Sequence, residues 1–325
     1  MTHRLLVSRF SLLALIVIVG QVTVSMAGQA QSTKFHTPDG QPDLQGIWSF
    51  ATITPLERPA ELAGKEFFSE KEAADYEAAI RNQNNMDRRD GTAEADVSRA
   101  YNDFWWDRGT KIVKTNRTSL IIDPSDGKIP PLTTAGRERQ TERLAANRGH
   151  EFDGPENRPL AERCIIWAST GPPMLPTAYN NNIRILQAPG YVAILIEMIH
   201  DIRIIPLDNH PYLSQNVRQL KGDSRGHWEG DTLVVETSNF TNRTAFRGAS
   251  ENMRLTERFK RLDADTLLYQ FTVNDTETFT KPWTVEIPVT RSEDPLFEYA
   301  CHEGNYAMTG GLAGARTAEG KQVAR

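Results

Sequence analysis

The stretch NIRILQAPGYVAILIEMIHDIRIIPL, Asn182 to Leu207, decides the fold. Nothing in it repeats every 3.6 residues, as an amphipathic helix requires. Instead, short apolar runs are cut by turn signals. Asn182 to Ala188 reads as a strand, Pro189-Gly190 as its turn and Tyr191 to Met198 as a strand buried on both faces. A tight reversal at His200-Asp201 then leads into Ile202 to Leu207. Downstream the pattern continues. Gly226 to Glu229 and Thr232 to Thr237 flank Gly230-Asp231, a pair whose chemistry suits a tight hairpin. Met253 to Leu262 and Thr266 to Asn274 flank Asp263-Ala264-Asp265, and Lys281 to Thr290 and Leu296 to Ala300 follow. With the early strands added, this makes eight or nine. A meander of that length leaves exposed edges unless it closes on itself, and closure with eight strands leaves an interior for side chains or one small ligand. The expected fold is mainly β, an antiparallel meander closing into a lipocalin-like barrel over residues 158–308.

Residues 28–157 read as a smaller mixed α/β part packed on that barrel. Leu44 to Thr54 is a strand opened by Gly46-x-Trp48, a triplet in which the Trp plugs a barrel end or is simply a core residue. Ser69 to Asn84 is a helix begun by a capping box, with Glu72 three residues after Ser69. Asp87 to Ala95 is a charged loop, Tyr101 to Trp106 an aromatic cluster that packs this part onto the sheet, and Arg117 to Asp123 a strand. Thr134 to Arg148 is a second, polar helix. Residues 309–325 are small and polar and read as a flexible tail.

The chain opens with Arg4 and Arg9, an apolar run from Phe10 to Gly20 and then Ser25-Met26-Ala27. This is the pattern of a secretory signal peptide over residues 1–27, with an apolar core too short to span a bilayer. The product is expected outside the cytoplasm, in the periplasm or beyond the cell, with no membrane span in the mature protein. The two cysteines, Cys164 and Cys301, then sit where a disulfide persists, and neither lies in a redox or zinc spacing. Net charge is −5 without clustered Lys or Arg, which argues against nucleic acid as a partner. No cofactor is implied, and oligomeric state is left open.

Several motifs together resemble a large family of secreted, uncharacterised bacterial proteins. They are Glu197-x-x-His200-x-x-Arg203, Gly222-x-Ser224-x-Gly226-x-Trp228-Glu229-Gly230-Asp231-Thr232-Leu233-Val234-Val235, Glu257-Arg258-Phe259, Pro282-Trp283 and Cys301-x-Glu303. Pro42-Asp43-Leu44-x-Gly46-x-Trp48, Tyr101-Asn102-x-Phe104-Trp105 and Arg117-Thr118-Ser119-Leu120 to Pro131 add to them. The resemblance spans nearly the whole mature chain and implies export and a β-rich fold, but no activity. It departs at Asp208-Asn209-His210, where relatives carry Asp-Gly-Arg.

The candidate chemistry concentrates at Glu197, His200, Asp201 and Arg203, ionisable groups on otherwise apolar strands. Such groups are costly unless paired. One reading makes Glu197 orient His200 as a general acid/base while Arg203 clamps an anion, with Glu303 meeting Arg203 or Arg258 in the lumen. The other makes Glu197 and Arg203 a structural pair around a turn at His200-Asp201. His302, Tyr179, Asn181, Trp228 and Trp283 are candidate ligand contacts, against plainer roles as rim, turn or core residues. No metal site is expected, because E-x-x-H on a strand is not a metal motif. Ser224 sits in G-x-S-x-G, but a hairpin follows it where the nucleophile elbow needs a helix. The expected function is binding of a small amphipathic or carbohydrate-derived molecule in the lumen, with or without metal-free elimination, hydration or isomerisation. The alternatives are a non-catalytic carrier and a structural envelope protein.

Overall fold

The computed structural model describes residues 35–323 apart from 90, 99–101, 209 and 243–245; the expected signal peptide lies outside the described residues. Residues up to Asp43 form one unit, in which His36 and Pro42 bridge, and Leu44–Arg325 forms the other. All that follows concerns the second unit.

Its strands are β1 (Gly46–Ser49), β2 (Ile121–Asp123), β3 (Asn182–Ala188), β4 (Tyr191–Ile196), β5 (Asp201–Pro206), β6 (Asp223–Glu229), β7 (Thr232–Ser238), β8 (Arg254–Arg261), β9 (Thr266–Asn274) and β10 (Trp283–Arg291). Nine of them run in the order β5-β4-β3-β1-β10-β9-β8-β7-β6, all antiparallel, and β2 adds to β10. The result is a nearly closed barrel. Its register follows the pleat: on β9, Leu267, Tyr269, Phe271 and Val273 face inward, and on β10 Trp283, Val285, Ile287 and Val289 do the same. The N-terminal part is not separate from the barrel, since β1 is inserted between β3 and β10 and completes the wall.

The one gap lies between β5 and β6, where side chains replace the backbone ladder. Asp201 pairs with Lys221, and Arg203 donates from Nε and Nη2 to Ser224 Oγ. At Gly226 a Cβ would lie 2.9 Å from Ile205 Cγ2 and 2.8 Å from Leu207 Cδ2, so only glycine lets the two strands approach.

The interior is filled with side chains. Trp48, Phe259, Tyr269, Phe271 and Trp283 are all buried, and the segment containing Thr170 and Met174 enters the same core. Trp48 is a core residue whose Nε1 donates to the Leu44 carbonyl at 2.9 Å, with the Arg261 guanidinium 5.5 Å from its ring.

Helix α1 (Glu70–Asn84) carries both halves of the expected capping box. A short α2 (Ala93–Ser98) occupies part of the expected charged loop, and α3 (Thr134–Asn147) is capped by Thr133. Two expectations fail at the C-terminus. Residues 292–300 form no strand, because both edges of β1 and of β10 are already occupied. The sequence reads as a tail over residues 309–325, but Tyr306–Val323 is helix α4. Cys164 and Cys301 form the expected disulfide. Among the described residues no helix is long and apolar enough to cross a membrane.

Candidate functional site

The four expected catalytic residues go to different places. Trp48 and Ile196 both pair with or lie beside Ile183 on the inward face, so their chain neighbours Ser49, Asn182 and Glu197 face the outer side of the wall. Arg203 is opposite Ile194 and shares its inward direction. The reversal from Met198 to His200 has Ile199 and His200 in the left-handed region (φ 52° and 41°), and it leaves His200 exposed. Glu197 therefore does not orient His200. Glu303 and His302 are exposed in a turn after the disulfide, not on a last strand, and neither reaches the lumen.

Arg203 belongs to a closed network inside the barrel. Its Nη1 and Nη2 donate to the two Glu257 oxygens at 3.0 and 2.5 Å, and Nη2 also reaches Thr237 Oγ1 at 2.9 Å. The Tyr269 hydroxyl donates to Glu257 Oε1 at 2.8 Å and accepts the Met174 N–H at 3.0 Å. Burial pushes the Tyr269 phenol well above its ordinary value, and the Glu257 charge adds to this. Every donor and acceptor here has a protein partner, so the network holds five strands and the Met174 segment together. Arg203 is thus committed to Glu257 and does not act as an anion clamp. Ser224 is one of its partners, not a nucleophile.

Glu197 is different. Its side chain is 3 % exposed. Oε2 accepts from the Asn182 N–H at 3.3 Å and from Asn182 Nδ2 at 3.2 Å, and Oε1 accepts the Phe297 N–H at 3.0 Å. It lines a cavity of about 930 Å³ on the outer side of the barrel wall. Six aromatic residues line the same cavity: Phe104, Trp105, Trp106, Tyr179, Phe297 and Tyr299. Phe104, Trp105 and Phe297 are 82, 62 and 63 % exposed, large apolar faces left open to solvent. Tyr179 stands among the other rings, with centroids 6.1 Å from Trp106 and 6.0 Å from Tyr299.

The cavity's other acids are Asp107, Asp294 and Glu298. Burial raises the Asp107 carboxyl above the ordinary aspartate value; the Asn181 donors oppose this and the Asp294 charge reinforces it. Asn181 itself is a scaffold. Its Nδ2 donates to the carbonyls of Asp107 and Thr177 at 2.5 and 2.9 Å, and its Oδ1 accepts the Thr177 N–H at 2.7 Å. That clasp brings the 102–107 segment to the barrel.

Of the expected ligand contacts, only Tyr179 lines this cleft. Trp283 is a core residue among Phe246, Phe271 and Phe279, and Trp228 packs half-buried against the same core. The aromatic cluster ending at Trp106 was expected to pack onto the sheet, but two of its rings face the cleft from solvent. Sequence reasoning missed Phe297 and Tyr299 because it placed them on a strand. The density of rings at 104–106 and again at 297–299 was the available signal. No protein-family model, curated protein or solved structure matches the chain.

Proposed function

We propose that this is an exported protein that binds a small molecule in the aromatic cleft on the outer side of the barrel wall. The observation that carries the reading is the cavity of about 930 Å³ walled by six aromatic residues with the buried Glu197 at its base. A cavity of this size encloses a drug-sized ligand. Exposed Phe104, Trp105 and Phe297 cost solvation in the free protein, and stacking against a ligand ring recovers it. Glu197 and Asn182 supply a fixed polar anchor. The barrel serves as scaffold, since its interior is taken up by the core and by the Arg203–Glu257 network.

A catalytic form of this reading rests on Asp107. Burial raises its carboxyl above the ordinary aspartate value, the direction that a general acid in elimination, hydration or isomerisation requires.

Untargeted mass spectrometry of small molecules retained by the purified chain tests the binding reading. A retained species is expected to be lost from Trp105→Ala and Phe297→Ala and kept by His200→Ala. Retention unchanged in both cleft variants would overturn it.

A further inference from the structure

We infer that the ligand of the cleft is an organic cation, an amine or quaternary ammonium group carried on an apolar or aromatic body. The inference rests on the reading of the cleft as a binding site, and it names the chemistry of what binds.

Charge comes first. Four carboxylate residues line the cavity, Asp107, Glu197, Asp294 and Glu298, and among the described residues no Lys, Arg or His lines it. Among the described residues, none of the four takes part in an ion pair. The contrast with the barrel interior is direct: there the buried Glu257 is met by the guanidinium of Arg203, whereas the buried Glu197 receives only neutral N–H donors. A buried carboxylate normally has a counter-charge, and the described residues supply none at this position. Hydrogen bonds hold Glu197 in place but leave the negative potential of the cleft uncancelled. That potential repels anionic ligands and attracts cations.

The walls agree with the charge. Aromatic faces carry negative potential and attract ammonium groups, and an aromatic enclosure is the usual recognition site for quaternary ammonium. The chain already uses this interaction at the rim, where the Arg108 guanidinium lies 4.1 Å from the Trp106 ring centroid. Arg108 lines a different cavity, and the exposed rings of Trp105 and Phe297 offer faces to a ligand. A neutral sugar would also stack on these rings, but it would leave the acids of the cleft facing one another with no counter-charge. A cation removes that repulsion.

The test uses the full chain and three probes of similar size at constant ionic strength: benzyltrimethylammonium, benzyl alcohol and benzenesulfonate. Binding is followed by tryptophan fluorescence and calorimetry. Benzyltrimethylammonium is expected to bind about tenfold or more tighter than benzyl alcohol, and benzenesulfonate more weakly than either. Asp294→Asn and Glu298→Gln, both at exposed positions and so tolerant of substitution, are expected to weaken the ammonium several-fold and leave benzyl alcohol unchanged. Equal affinity for the cation and the alcohol, with no response to the acid variants, overturns the cation inference while the cleft remains a binding site. If no probe binds, the cation inference fails. If, in addition, Trp105→Ala leaves retained molecules unchanged, the binding reading fails with it.

Discussion

The carboxylate of Glu197 accepts the backbone N–H of Phe297 at 3.0 Å, linking the end of β4 to a segment a hundred residues downstream. Through this bond an acid on the outer wall fixes the backbone of an aromatic residue that lines the same cleft. Residues 292–300 form no strand; the Ser292 N–H bond to the Ile47 carbonyl, the Glu197 contact and the disulfide at Cys301 position them.

Replacing Glu197 is therefore expected to damage the cleft more than the barrel. Glu197→Ala orphans donors on Asn182 and Phe297, at a cost of about 1–3 kcal/mol. Glu197→Gln keeps one acceptor and should cost less. Hydrogen exchange of residues 292–299 checks this: faster exchange there in the Ala variant is the expected result, with β9 unchanged.

The buried pair of Arg203 and Glu257 makes a separate prediction about the barrel. Arg203→Met alone strands a carboxylate in the core, and denaturant unfolding should report a loss of about 3–5 kcal/mol. The double variant Arg203→Met with Glu257→Leu should recover most of it, because neither charge is then left without its partner. A double as unstable as the single would mean that Ser224, Thr237 and Tyr269 need the charges as much as the charges need each other.

Asp107 predicts a pH dependence. Its folded carboxyl is raised by burial, so the unfolded chain ionises first as pH rises through the ordinary aspartate value near 4. Stability tied to this group is present below that value and is lost as pH climbs through the folded one. Asp107→Asn should accordingly unfold at a higher temperature than the parent at pH 7, with the difference vanishing below about pH 4. A difference that grows toward low pH would contradict the assignment.

His200 is expected to be dispensable. It is exposed and held at a φ of 41°, a conformation glycine adopts without strain. His200→Gly should raise stability by about 0.5–1 kcal/mol and leave ligand retention unchanged. Loss of retention would return His200 to the site.

The barrel was legible because a period of two and paired turn residues are local properties. Strands β3 and β9 match their expected limits residue for residue, and the Ser69–Glu72 capping box marks the start of α1. The cleft was not legible, for a physical reason: it is assembled from residues 104–107, 179–182 and 292–299, which have no shared period. The separation of Glu197 from Arg203 was equally hidden. It depends on the backbone at Ile199 and His200, where two residues with side chains take a left-handed turn and send the neighbouring acid and base to opposite sides of the wall. The expected strand at 296–300 failed because strand propensity does not report whether a sheet edge is free.

Hydrogen exchange of the full chain with and without saturating ligand, whether the retained molecule or benzyltrimethylammonium, is the most direct test of where binding occurs. Slower exchange is predicted in three segments together, 102–107, 179–182 and 292–299, with β8 and β9 unaltered. Protection confined to the barrel strands, with those three segments unchanged, would place the ligand inside the barrel and contradict the assignment of the outer cleft.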